Sequence, residues 1–585
     1  MTFFNIKTSF LEVFHPKLFS SLKDYNRKTF AADAVSGVII GIVAIPLAIA
    51  FAIACGPKIG PAEGLVTAII AGFLISFFGG SKVQIGGPTG AFVPVIALII
   101  QQNGVGGLMI ATIMAGIILI VMGLCKLGSI IKFVPYPVIV GFTGGIAVII
   151  FSQQMNNLFG WSIDPNEIPG DFIHQWICYF HRFTQINWWT FGIGLAGLGI
   201  IILSPKFSKK IPGSFIAIVV ITIVVWILKS YFNIYEIKTI GDLYQLPEKI
   251  PGPRIPYIVF EQGKTLFDTI QQLFPAAFTI AMLGSIEALL SATVADGAIG
   301  DKHNSNTELI GQGIANVVVP FFGGIPATGA IARTMTNINN GGRTPVAGII
   351  HAIVLLLVLL FLSQLVAYIP MACLAAVLVV VCYNMSGWRT FVSLAKNPKS
   401  DFTVLISTFV LTLVFGLTIG IGIGLLLAIV LFIKRINEAS VIRIFHDEID
   451  PNENLDVSLK EERLIIPKGV EVYEIDGPYF FGVANKFDEI MKTIGEKPKV
   501  RIIRMRKVPF IDSTGIHNLE ILCKQSKREG IHIILSGVNK HVYATLEKAG
   551  FDKLLGNNNI CSHINEALEK SEKFISEFST FAVSF

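Results

Sequence analysis

Apolar residues fall along this chain in long stretches divided by short polar turns. The first set lies near 33–55, 61–80, 88–103, 107–127, 136–156, 189–203 and 213–230. A second set follows near 267–294, 306–322, 329–338, 345–362, 366–386, 400–416 and 418–434. About 20 apolar residues are needed to cross a bilayer as a helix. The pattern therefore predicts fourteen membrane segments, seven plus seven. The third and tenth are too short to cross as helices, so half-helices preceded by short extended pieces are expected there. Each begins in a matched interruption: Phe77–Ala91 reads FFGGSKVQIGGPTGA and Phe321–Thr334 reads FFGGIPATGAIART. Irregular backbone at membrane depth is tolerated only where protein or a cavity surrounds it. A matched pair of Gly/Pro breaks in two halves points to a transporter's substrate site.

The pattern changes after about residue 440. The stretch 446–463, HDEIDPNENLDVSLKEER, has no apolar period and is expected to be a linker. VEVYEID (470–476), VRIIRMR (500–506) and IHIILSG (531–537) read as strands, alternating with helical patterns at 516–527 and after Lys540. That alternation predicts a sheet covered by helices. The expected division is a cytosolic segment 1–32, a transport domain 33–436, a linker 437–463, a soluble domain 464–575 and a tail 576–585.

Composition agrees with a membrane protein. Only 15% of the 585 residues are charged, against 52% hydrophobic, and mean hydropathy is +0.66. Soluble domains carry about a quarter charged residues. The net charge of +6 is small for this length and gives no sign of nucleic-acid binding. The seven cysteines are scattered, with neither metal-ligand nor disulfide spacing. Residues 1–32 are amphipathic and basic, without a cleavage site of a removable signal peptide. With the N-terminus inside, the inward loops hold Lys82, Lys126, Lys132, Lys206, Lys209, Lys210, Lys302, Arg343, Arg389, Lys396, Lys399, Lys434 and Arg435. The segments near 157–188 and 231–265 then face outward with mixed charge, as the positive-inside rule requires. Seven spans per half is odd, so the second half enters from the opposite side and the repeats are inverted. The domain after the last span is then cytoplasmic.

Several motifs now coincide: IPLAIAFAIACG (45–56), QIGGPTGAF (84–92), GSIEALLSATVAD (284–296), ELIGQGIAN (308–316), GGIPATGAIART (323–334) and IDSTG (511–515). In this order they resemble the SulP family of anion transporters, related to the animal sulfate/anion exchangers and prestin. IDSTG resembles the signature of a STAS domain. The resemblance implies a polytopic α-helical fold of 7+7 inverted repeats, like that of uracil transporters, in which a core domain slides against a gate domain. It also implies a bacterial inner-membrane protein and a homodimer. The STAS domain is a candidate site for cytosolic regulatory partners.

A helix N-terminus offers unsatisfied N–H groups and about half a positive charge. Two of them meeting head to head form an anion site. By position in the family, Thr89, Gly90, Ala91, Gly329, Ala330 and Ile331 inherit that site. Phe51, Ala52, Ala48 and Phe92 would wall it. Arg333 is the lone charge in its apolar stretch and is read as functional by default. Glu287, with small residues around it and Ser291 one turn on, is the candidate coupling site. A carboxylate kept from water there can take up a proton near neutral pH, compensating the charge of an incoming anion. The bicarbonate-type member of the family holds sodium with an acid and a hydroxyl at the positions of Glu287 and Ser291. Ile331 replaces a threonine of that set, so one oxygen is missing. Asn306, Glu308, Gln312 and Asn316 read as helix-bonding residues rather than ligands, and Asp296 as solvated or interfacial. Thr514, with Ser513, matches the STAS phosphorylation position. Asp512 capping the helix is the plainer account of that signature.

The expected function is secondary active transport of a small inorganic anion, with proton symport leading. Sodium-dependent bicarbonate symport, C4-dicarboxylate/proton symport and uncoupled exchange or channel activity stand as alternatives. No nucleophile–base set, Walker-type loop or metal cluster marks the chain as an enzyme, and no cofactor beyond H⁺ or Na⁺ is expected.

Overall fold

The computed structural model describes residues 13–23, 25–129, 134–161, 163, 168–169, 171–207, 212–244, 252–253, 266–396, 398–449, 464–483 and 497–582. Residues 1–12, Lys132, Lys209, Lys210, most of the expected linker and parts of the two outward segments lie outside that set. The described chain divides into two units, Met1–Ala428 and Ile429–Phe585.

In the first unit the helices follow the expected order. α1 is Arg27–Ala54, α2 Pro61–Phe78, α5 Tyr136–Phe159, α6 Trp188–Phe207 and α7 Gly213–Phe232. Helix Val93–Leu124 breaks at Gly104 (φ 68°, ψ −176°), which separates the half-helix α3 (93–103) from α4 (105–124). The second half gives α8 Leu266–Ile299, α9 Ser305–Val318, α10 Ile331–Asn339, α11 Val346–Phe361, α12 Met371–Met385, α13 Lys399–Phe415 and α14 Leu417–Ala439. Nine described helical stretches are long and apolar enough to cross a membrane, with α3 and α4 taken together and α12 continued to Leu394. α1 starts at Arg27, six residues before the expected boundary, with the Asn26 side chain accepting from the Thr29 N–H.

Small residues decide how the spans pack. α1, α2, α4 and α8–α11 contact one another, and α5–α7 contact α12 and α13. α4 crosses α9 at Gly116 and Gly313, where a Cβ on either would meet the other's carbonyl at 2.6 Å. Gly141 and Gly145 of α5 lie against Leu405, Thr408 and Thr412 of α13, and Gly420 and Gly424 of α14 meet the same two threonines. Such close approach is how helices associate where lipid leaves no hydrophobic driving force.

Glu308 ties loop to helix. Its carboxylate accepts the N–H groups of Gly80 (2.8 Å) and Ser81 (3.0 Å) and the Gln312 amide (2.8 Å). Asn316 bonds both the N–H and the carbonyl of Ala327. Asn306 accepts from the Gly128 N–H. These residues therefore bond helices to loops. Asp296, expected to be solvated or interfacial, keeps 20% of its side chain exposed and meets both the Nδ1 (2.6 Å) and the N–H (3.0 Å) of His303.

The second unit carries a five-stranded sheet in the order β3-β6-β7-β8-β9. The strands are β3 Val441–Phe445, β6 Val470–Asp476, β7 Val500–Lys507, β8 His532–Ser536 and β9 Ile560–Cys561; β4 Glu448–Ile449 and β5 Leu464–Ile465 pair apart. β3 is antiparallel to β6, and the remaining pairs are parallel. α15 (Ser513–Arg528), α16 (Lys540–Lys548) and α17 (Phe551–Leu555) pack on one face, and α18 (Ile564–Ala582) on the other. Two expected boundaries are corrected. Part of the expected linker 437–463 is strand: Val441 to Phe445, apolar except for Arg443, pairs with β6. The expected tail 576–585 is helical through Ala582.

Candidate functional site

The two interruptions meet. β1, Gly86–Gly87, pairs antiparallel with β2, Thr328–Gly329, with Gly86 opposite Gly329 and Gly87 opposite Thr328. The Ala330 N–H donates to the Ile85 carbonyl (2.9 Å). Each strand leads at once into a helix. Thr89 (φ −127°, ψ 157°) precedes a 3-10 turn, Gly90–Phe92, that continues into α3, and Ala330 (φ −97°, ψ 116°) is the N-cap of α10. Antiparallel strands enter their helices from opposite ends of the ladder, so the two helix N-termini face one another. The N–H groups of Gly90 and Ala91, and of Ile331 and Ala332, lie in first turns where no intrahelical acceptor exists.

Hydrogen bonds to α8 and α10 brace this junction. The Thr328 hydroxyl donates to the Gly284 carbonyl (2.8 Å) and the Gln84 amide to the Ala288 carbonyl (3.0 Å). The Ile85 N–H donates to Thr334 Oγ1 (3.1 Å), as does the Ser291 hydroxyl (3.3 Å). Gly329 needs its lack of a side chain, because a Cβ would overlap the Gln84 amide.

Glu287 and Arg333 come to the same place from opposite sides. Glu287 Oε2 accepts the Thr89 hydroxyl at 2.9 Å. Arg333, 2% exposed, donates from Nη2 to the Pro88 carbonyl at 2.8 Å. Its Nη1 has no partner among the described residues. The two charges act on each other, but no ion pair within 4 Å joins them among the described pairs. Arg333 thus does not snorkel to the surface, and among the described residues no acid forms a close ion pair with it. A buried guanidinium with an unpaired arm is costly, and an anion at the adjoining helix ends would offset that cost.

Gly87 makes room for this cation. Its φ is 152°, and a Cβ there would collide with Arg333 Nη1. Gly87→Ala is expected to displace the guanidinium and weaken anion binding about tenfold, the scale of one charge-assisted hydrogen bond. Titrating anion against the purified variant checks this.

Other site residues fall as follows. Phe51 meets Gly90: a Cβ on Gly90 would lie 3.1 Å from the Phe51 ring, 3.2 Å from Ile150 and 3.2 Å from Met385. The α3 terminus therefore touches α5 and α12 as well as α1. Phe92 reaches Gly284 of α8, and Ala91 is buried. Ala48 and Ala52 sit where α1 crosses α2, against Gly64. Ser291 is turned to Thr334 rather than to Glu287. In the second unit, Asp512 accepts the Gly515 N–H (2.7 Å), and Ser513 and Thr514 are exposed on the first turn of α15. A Cβ on Gly515 would sit 2.6 Å from the Tyr479 carbonyl, so that glycine serves packing.

Sequence reasoning missed the buried Asp33, which accepts from the N–H groups of Arg343 and Thr344, the Thr344 hydroxyl and Tyr25. Asn337 was missed too; it bonds Ser36 and the Val83 carbonyl. A lone acid at the start of an apolar run was the signal for Asp33.

Comparison with known proteins places the chain in a family. Residues 30–408 match the Sulfate permease family and residues 463–567 the STAS domain. The chain is 41% identical over 547 residues to the putative sulfate transporter YvdB of Bacillus subtilis (strain 168), covering 93% of this chain and 98% of that protein. It is 30% identical over 554 residues to the bicarbonate transporter BicA of Synechocystis, covering 93% and 94%. The structure of the murine Slc26a9 anion transporter in the inward-facing state superposes with a TM-score of 0.83 at 19% identity, covering 95% and 94%, which establishes the fold of inverted repeats. The chain belongs to the sulfate permease family of multi-pass anion transporters, carries a C-terminal STAS domain and is not an enzyme.

Proposed function

We propose that this protein is a secondary active symporter that carries a small oxyanion of the sulfate or bicarbonate class together with a proton. The observation that carries the reading is the pair of opposed helix N-termini with the buried Arg333 guanidinium beside them. Backbone N–H groups and one fixed cation select for negative charge and small size. Such recognition favours a compact anion over a nucleobase.

The proton has a built route to the anion. When Glu287 is ionised it accepts the Thr89 hydroxyl. When Glu287 is protonated its own O–H donates to Thr89 Oγ1, and the Thr89 O–H turns free to donate to an anion at the α3 terminus. Protonation thus removes a negative charge and supplies a donor in one step. Sodium is less well served: the Ser291 hydroxyl is engaged with Thr334, and Ile331 offers no side-chain oxygen. C4-dicarboxylates and uncoupled exchange are further outcomes of the uptake test.

Movement follows from where the site sits. The α3 terminus, carried by the group containing α1, α2, α4 and α8–α11, abuts Ile150 and Met385 of the other group. Sliding one group past the other would carry the anion across, as in an elevator. The protein would reside in a bacterial inner membrane as a homodimer, N-terminus and STAS domain cytoplasmic. Thr514, exposed at a helix N-terminus, would accommodate phosphate. The reading is tested by uptake of labelled sulfate, bicarbonate and fumarate into proteoliposomes under imposed proton or sodium gradients. Proton-driven uptake of an inorganic oxyanion is expected; dependence on a sodium gradient, or uptake of fumarate alone, overturns it.

A further inference from the structure

Residues 13–23 are held against the ends of α2 and α9. The Lys17 N–H donates to the Gly79 carbonyl (3.0 Å), and the His15 N–H to Thr307 Oγ1 (3.1 Å). The Thr307 hydroxyl in turn donates to the Val13 carbonyl (3.1 Å). The Phe14 and Phe19 rings meet Phe78 and Phe77 at 6.1 and 5.9 Å. Between this segment and the turn before α9 lies a cavity of about 690 Å³. Its wall carries Lys17, Lys23, Lys302, His15 and His303, with no carboxylate in the lining.

The charges nearby do not cancel. Asp301 pairs with Lys82 at 2.8 Å and lies 3.9 Å from Lys17. The Lys82 ammonium holds its carboxyl below the usual range. His303 faces Asp296. Lys23 and Lys302 are exposed and have no carboxylate partner among the described residues. Phe19 in the same lining is 56% exposed, and close by in sequence Leu22 is 46% exposed and Phe30, in the first turn of α1, 52%. Exposed ammonium groups without a carboxylate partner among the described residues, close to exposed apolar side chains at the membrane end expected to carry the excess lysine, fit a phosphate with hydrocarbon attached.

We propose that this cavity binds the headgroup of an acidic phospholipid, with the phosphate on Lys23 and Lys302 and the acyl chains along Phe19, Leu22 and Phe30. A bound lipid would clamp residues 13–23 to α2 and α9, the helices that Glu308 ties together. The inference needs only the membrane placement of the chain and is independent of the coupling mechanism.

The test is thermal unfolding of the purified full-length protein with phosphatidylglycerol, with phosphatidylcholine, or with inorganic phosphate at equal concentration. The wild type is expected to melt several degrees higher with phosphatidylglycerol than with phosphatidylcholine, and phosphate alone to give no shift. The double variant Lys23→Gln/Lys302→Gln should fold with an unchanged lipid-free melting point and lose more than half of the shift. The control Lys396→Gln/Lys399→Gln, which removes two lysines of another inward loop, should keep it. An unaltered shift in the first double variant, an equal loss in the control, no shift in the wild type or a shift with phosphate alone each overturns the proposal.

Discussion

Glu287→Gln is expected to abolish uptake driven by a proton gradient while anion binding survives. Glutamine keeps the size of the side chain and an oxygen that accepts the Thr89 hydroxyl, now at 2.9 Å. It cannot gain or lose a proton, so the exchange of donor and acceptor roles with Thr89 stops. Proton-driven uptake should fall below about a tenth of wild type, since the driving gradient no longer acts on the carrier. Anion affinity should become independent of pH, whereas the wild type binds more tightly as pH falls, because protonated Glu287 frees the Thr89 O–H. Thr89→Val should break the same link, and Thr89→Ser should retain it. Uptake and binding measured between pH 5.5 and 8.5 check all three. A Glu287→Gln variant with the wild-type pH profile would remove Glu287 from coupling.

Arg333→Gln is expected to cost the site its fixed cation. A hydrogen bond to a charged group contributes roughly 1.5–3 kcal/mol, so affinity should drop between about tenfold and a hundredfold at 1.4 kcal/mol per decade. Glutamine also leaves the Pro88 carbonyl, which now accepts Nη2 at 2.8 Å, with a weaker donor. Arg333→Lys should fall between the two, keeping charge but losing the planar fork. Selectivity among anions of one size should change little in either variant, because the backbone N–H groups stay in place. Equilibrium binding of labelled anion to folded protein is the measurement. An affinity within twofold of wild type in Arg333→Gln would show that the cation serves folding alone.

Much of this site was legible because membrane depth makes irregular sequence conspicuous. The two FFGG stretches stand out against apolar runs, and an odd number of spans per half requires inversion; antiparallel pairing of Gly86–Gly87 with Thr328–Gly329 is what inverted repeats produce. Contacts across the junction were not legible. Thr89 meets Glu287 across 198 residues of chain, where Gln84 and Thr328 dock the junction on the Ala288 and Gly284 carbonyls of α8. The small residues of α1 announced close packing but not its partners: Gly37 and Gly41 face α11, while Ala48 and Ala52 face Gly64. The hydroxyl of Ser291 lies one turn from Glu287, yet Thr334 engages it. The edge strand Val441–Phe445 escaped notice because it is five residues long, has no clean two-residue alternation and follows the polar end of α14 directly.

The central claim is that the anion lies between the N-termini of α3 and α10. Selenate, a heavier analogue of sulfate, offers the most direct test through anomalous diffraction from crystals of the protein. The account predicts one selenium peak within hydrogen-bonding distance of the N–H groups of Gly90 or Ala91 and of Ile331 or Ala332, lost in Arg333→Gln crystals grown at the same selenate concentration. A peak elsewhere in the first unit, with none between Thr89 and Ala330, would contradict it.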